Sequence, residues 1–263
     1  MRLLAARVVA ALSAVTWLFL PGFGLIDLGV TWDPDWAVVL EASWATTMCV
    51  LVGGSFLALA IAPRRPAPAL VTLGATLVTW LFATVVGQEP ALLLYVGMLA
   101  VEGALVTWSI ARAPGREPLR PGGWAVRWPL LVVAAVGVVP WLWHAERMLR
   151  ASRRNAGETI GELTMNVDHY TVQGAWAVVL PALALLAGWW PRGRAQLGVG
   201  VGLSAGYVGL VSYAFPGTWA GFSPFWSVAC MAWAGAVVLL ALAPARSEPG
   251  QLRGEVVEAE RAL

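Results

Sequence analysis

The chain contains no lysine, and only 12% of its 263 residues are charged. Without a lysine amine no imine can form with a carbonyl substrate, which excludes retinal-type pigments and other Schiff-base chemistry. So low a charged fraction, against roughly 25% in a soluble domain, leaves too little polar surface to wrap a water-soluble fold. Cysteine is scarce too. Cys49 and Cys230 both fall inside apolar segments, so neither a disulfide framework nor a thiolate metal site is expected. No glycine-rich phosphate loop stands between a strand and a helix. The formal charge of +2 offers nothing for nucleic acid to bind.

What the sequence has instead is apolar length. Hydrophobic residues make up 59% of it, in stretches of about 20, each long enough at about 1.5 Å per residue to cross a hydrocarbon core of roughly 30 Å. The expected fold is an all-α polytopic membrane protein with eight transmembrane helices, at roughly 7–26, 36–62, 69–87, 90–111, 128–145, 169–190, 195–215 and 224–243. The first apolar run continues through Trp17 to Leu20 and Pro21, longer than the apolar core of a signal peptide, so a retained helix is expected. Arginine supplies every positive charge. With the N-terminus in the cytoplasm, 13 of the 17 arginines lie on the cytoplasmic side, so a cell-membrane protein with both termini and a charged tail (244–263) inside is expected. The other four, Arg147, Arg150, Arg153 and Arg154, fall in an extracytoplasmic loop at 146–168. A loop that breaks the charge rule is expected to fold against anionic lipid or its own Glu158 and Glu162.

The chain repeats itself. A shift of 132 residues lays Leu40-Glu41-Ala42-Ser43-Trp44-Ala45 on Val172-Gln173-Gly174-Ala175-Trp176-Ala177, and Ala100 to Ala104 on Ala232 to Ala236. Two tandem four-helix halves follow, 1–122 and 123–243, related as a parallel repeat. The halves differ where charge is concerned: Glu41 aligns with Gln173, Glu102 with Ala234, and the second half alone carries the long polar loop.

That loop and its flanks hold the groups able to do chemistry. His144 and Glu146 lie at the end of the fifth helix, and Asp168 and His169 open the sixth, so folding of the loop would bring them to one depth. Imidazole with carboxylate serves general acid–base catalysis, and equally a divalent metal site with His144, His169 and Asp168 as ligands, although no HExxH-type spacing is present. Asp168 is also placed to cap the sixth helix through the N–H of Thr171. Glu102 stands about 18 Å into its helix, near the bilayer midplane, where ionisable groups default to functional candidates. Glu41 with Trp44, and Gln173 with Trp176, each occupy one helix face at i and i+3.

Of the sixteen tryptophans, eleven fall at expected helix ends, as bilayer-boundary indoles do. Trp17, Trp44, Trp80, Trp176 and Trp233 lie within spans, and could line a cavity for a lipid or isoprenoid-like molecule. The duplicated eight-helix plan is similar to that of haem A synthase, a family that holds haem with histidine pairs inside its helices; the helix interiors here contain no histidine. Carboxylates beside aromatic rings are similar in chemistry to the integral-membrane terpene cyclases. Two expectations result. One is a membrane enzyme with an outward-opening site, in which His144, Glu146, Asp168 and His169 converge on a shared void. The other is a carrier using Glu41 and Glu102, or an accessory subunit without catalysis.

Overall fold

The computed structural model describes residues 2–35, 38–112, 115, 117, 123–154 and 167–244. Among them, all regular structure is helical. In chain order the helices are α1 (Arg2–Leu18), α2 (Gly24–Val30), α3 (Val38–Thr46), a π-helical stretch (Thr47–Gly53), α4 (Gly54–Ile61), α5 (Ala67–Gly87), α6 (Leu92–Ala111), α7 (Trp128–Arg153), α8 (His169–Trp189), α9 (Arg194–Ala214) and α10 (Pro224–Leu242). From α3 to α4 the chain is one continuous rod, Val38–Ile61. Counted so, seven helices are long and apolar enough to cross a membrane, which makes this a multi-pass membrane protein.

Two of the expected helix boundaries are corrected. The first helix does not run over 7–26: it starts at Arg2 and stops at Leu18, and a separate short helix, α2, follows. Pro21 cannot continue the hydrogen-bond ladder, and Gly22 lies so close to Trp17 that a Cβ there would sit 2.5 Å from the Trp17 carbonyl oxygen. The fifth helix does not stop at 145. It continues two turns to Arg153, because the segment Ala145-Glu146-Arg147-Met148-Leu149-Arg150-Ala151 consists of strong helix formers and buries Met148, Leu149 and Ser152. The loop expected at 146–168 is shortened accordingly; Glu158 and Glu162 lie outside the described residues.

α8 is the central element. It packs against α7, α5, α9 and α3, and 78% of its apolar window is buried inside the protein. α9 lies along α10 at a distance set by glycine: a Cβ on Gly202 would stand 2.1 Å from Val238 Cγ2, and one on Gly198 2.3 Å from Ala241 Cβ. Such a small-xxx-small face lets two helices pack by close contact where lipid offers no hydrophobic drive. The interior divides into two main apolar clusters. One is drawn chiefly from α1 to α6 and holds Trp17, Trp44 and Trp80. The other is drawn chiefly from α7 to α10 and holds Trp141, Trp176 and Trp190.

Candidate functional site

The site is built at the end of the bundle where α3 begins, α7 ends and α8 begins. One face of α8 carries His169 and Gln173, one turn apart, both fully buried. On α3, Glu41 and Trp44 share the opposing face. His169 stacks on the Trp44 indole, ring centroids 4.6 Å apart and planes at 12°, and its Nδ1 stands 3.4 Å from Glu41 Oε1. That is ion-pair reach without a hydrogen bond: both Glu41 oxygens and both His169 nitrogens are buried and unbonded. Asp27 on α2 completes the cluster. Its carboxyl is pushed up to about 7, chiefly by burial and also by the neighbouring Glu41, with His169 acting the other way. Ionised groups shut away from water are costly unless paired or protonated, so this corner favours the protonated form of Asp27.

On the other side of Gln173 lies His144, 4% exposed. The Gln173 Nε2 is 3.1 Å from His144 Nε2 and also donates to the Ala220 carbonyl at 3.3 Å. An amide nitrogen can only donate, so the imidazole Nε2 accepts and its proton sits on Nδ1; this tautomer is assigned from the network. The α9–α10 connection thereby roofs the site, with Phe222 packed on the His144 ring at 4.8 Å. His144 also forms part of the wall of a cleft of about 270 Å³ between α7 and α10, lined further by Trp141, Trp143, Phe222, Trp226 and Trp233. Arg147 marks its outer end, the guanidinium 5.0 Å from the Trp143 ring centroid. Local sequence shapes this cleft. Pro140 has no N–H, so the carbonyl of Val136 loses its helical donor. Gly137 leaves room for the Trp233 ring, which would lie 2.5 Å from a Cβ there; the Trp233 Nε1 donates to the Val133 carbonyl at 2.8 Å.

No family model matches this chain, and no curated protein or solved structure does.

The remaining expected site residues are distributed elsewhere. Asp168 is the N-cap of α8, accepting from the N–H of Tyr170 at 2.8 Å in place of the expected Thr171, whose hydroxyl pairs with Ser152 at 2.6 Å. Burial raises the Asp168 carboxyl, and the Tyr170 N–H works against that rise. Glu146 faces outward and pairs with Arg150 along the α7 surface, at 2.8 Å from Nε. His144, Glu146, Asp168 and His169 are thus held by four different sets of partners. Among the described residues no three His, Cys, Asp or Glu side chains stand where they could hold a metal ion, so the expected ligand set of His144, Asp168 and His169 is not assembled as one group.

Glu102 is half-buried on α6, and the Trp17 Nε1 donates to its Oε2 at 2.6 Å. From there a column of rings leads to the cluster: Trp17 to Tyr95 at 6.2 Å, Tyr95 to Trp44 at 5.0 Å, then Trp44 to His169. Trp80 flanks Trp17 at 5.8 Å, and Trp176 stands edge-on to Trp141 at 5.1 Å. Of the five tryptophans expected around a cavity, Trp233 lines the α7–α10 cleft, while Trp17, Trp44, Trp80 and Trp176 are packed in the interior. Sequence reasoning missed Asp27 and Phe222. Asp27 had a signal, as the one acidic residue before position 33; Phe222, in a short connection, had none.

Proposed function

We propose that this protein is a membrane-embedded enzyme that takes a lipid or isoprenoid-like molecule from the outer leaflet into the α7–α10 cleft and exchanges a proton with it through His144. The observation that carries this reading is the position of His144: a buried, neutral imidazole on the wall of an aromatic cleft, held in one tautomer by Gln173. A neutral imidazole can take a proton at one ring nitrogen and give one from the other. The tryptophans around it would hold an apolar chain, and Arg147 a negatively charged head.

The architecture goes with this reading: α1 counts as an eighth span, and the chain is two tandem four-helix halves in the cell membrane with both ends cytoplasmic. Support for the repeat comes from the second helix of each half: Pro181 lies within the continuous α8, and 181 − 132 = 49 falls within the π-helical stretch Thr47–Gly53.

A carrier is the second reading, and the ring column between Glu102 and the Glu41–His169 pair favours it, because it ties a carboxylate deep in the membrane to a buried cluster near the outer end. One experiment separates the two. Purified wild type and His144→Ala are incubated with an extract of the membrane lipids, and the lipids are then analysed by mass spectrometry. Lipid masses changed by wild type and unchanged by the variant are expected. Lipid retained but unaltered would move the function to a carrier or an accessory subunit, and no retained lipid would overturn the cleft as a binding site.

A further inference from the structure

The opposite end of the bundle carries a second groove, independent of the cleft and of the function proposed for it. Its walls are the first two turns of α1, with Leu3, Leu4 and Arg7, and the end of α4 with the turn after it, with Ile61, Arg64 and Arg65. Its volume is about 520 Å³. Ile61 is the last residue of the Val38–Ile61 span and Leu3 the first of the apolar stretch of α1, so the groove lies where hydrocarbon gives way to headgroups. Leu4 and Ile61 are exposed there, at 65% and 68%. Three guanidiniums meet at this level, and one is answered: Arg65 pairs with Glu117 at 3.4 Å. Arg7 and Arg64 have no ion pair among the described residues and are exposed.

We propose that this groove binds one anionic phospholipid, its phosphate held between Arg7 and Arg64 and its acyl chains laid along Leu4 and Ile61. Charge chooses the ligand. Two guanidiniums without an ion pair among the described residues match the two non-bridging oxygens of a phosphate, whereas a choline headgroup would bring a third positive charge to them. Basic pockets between helices at the headgroup level are the usual sites for acidic lipid.

The test uses the full chain in detergent, titrated with phosphatidylglycerol or with phosphatidylcholine of the same chains, and read by native mass spectrometry. One phosphatidylglycerol is expected to bind in preference to phosphatidylcholine. Each arginine near a lipid surface contributes roughly fivefold, so Arg7→Gln with Arg64→Gln is expected to weaken binding roughly 25-fold. Arg192→Gln, an exposed arginine of the α8–α9 turn, serves as the control and is expected to change nothing. Both arginines of the groove are exposed, so the variant keeps its fold; as a check independent of any substitution, about 1 M salt, which shortens the screening length to about 3 Å, is expected to release the lipid from wild type. Equal retention of the two lipids, equal binding by the double variant, or binding indifferent to salt would each overturn the proposal.

Discussion

At the scale of single residues, the Glu41–His169 pair is the feature with the largest expected consequence. Removing one member of a buried pair strands the other, at about 3–5 kcal/mol. Glu41→Ala and His169→Ala are each expected to destabilise by that order, and the double variant by clearly less than the sum; a double-mutant cycle of denaturation in detergent measures this, and additive effects would show that the two do not interact. Asp27 makes a pH prediction. Its folded-state value, about 7, lies above the ordinary 3.8, so between those values the folded state holds more protons than the unfolded one, and stability falls as pH rises through the window, levelling above it. Asp168 and Glu89 shift in the same direction, so the reading is a difference: between pH 4 and 7 the melting temperature of Asp27→Asn is expected to fall less steeply than that of wild type. Parallel curves would refute the assignment. Much of this site was legible. The i, i+3 spacing of Glu41 and Trp44 put them on one face and both histidines stood out by scarcity, but which carboxylate met which imidazole depended on how α3 and α8 cross, and α2, which brings Asp27, straddles the expected end of the first helix at residue 26 and was not expected as a separate element.

At the scale of elements, apolar length located the helices to within a residue or two wherever a turn ended them, as at Gly87-Gln88-Glu89-Pro90. It failed at α1 and α7 for opposite reasons. In α1 a proline and a close backbone contact stop the helix while the sequence stays apolar; in α7 helix formers carry it on after the apolar run has ended. Crossing geometry, by contrast, was not legible, because a glycine in an apolar helix does not announce which neighbour it faces. Gly137 and Gly202 face rings and methyls respectively. Gly202→Val would force α9 from α10 and is expected to cost about 1–3 kcal/mol, as overpacking does. Gly137→Ala collides with the Trp233 ring and is expected to close or distort the α7–α10 cleft. Measured side by side, Gly202→Val should lower stability with lipid binding in the cleft retained in the folded fraction, and Gly137→Ala should reduce lipid binding per folded molecule. The reverse pattern would place the binding cleft elsewhere.

At the scale of the whole molecule, the proposed four-plus-four arrangement turns on the course of α1. Its 17 residues give about 25 Å, short of a hydrocarbon core of roughly 30 Å. Its neighbours support the crossing proposed above. Near its start, Leu3 and Leu4 share a groove with Ile61, and past its end the Gly22 carbonyl accepts from the Trp44 Nε1 at 3.1 Å. From Trp44 to Ile61 the Val38–Ile61 rod advances 17 residues (61 − 44), so α1 matches that depth almost turn for turn, and the turn around Pro21 makes up the remaining length on the far side. On that proposal Arg2 and Arg65 lie on one side of the membrane and Pro216, in the α9–α10 connection, on the other. In a background with Cys49 and Cys230 replaced by alanine, single cysteines at Arg2, Arg65 and Pro216 report this through an impermeant maleimide. Pro216→Cys should react in intact cells, and Arg2→Cys and Arg65→Cys only after permeabilisation, as the arginine bias requires. Reaction of Arg2→Cys together with Pro216→Cys would mean that α1 enters and leaves by the same face, and the four-plus-four arrangement would fall with it, since a first half of three spans cannot be a parallel copy of a second half of four.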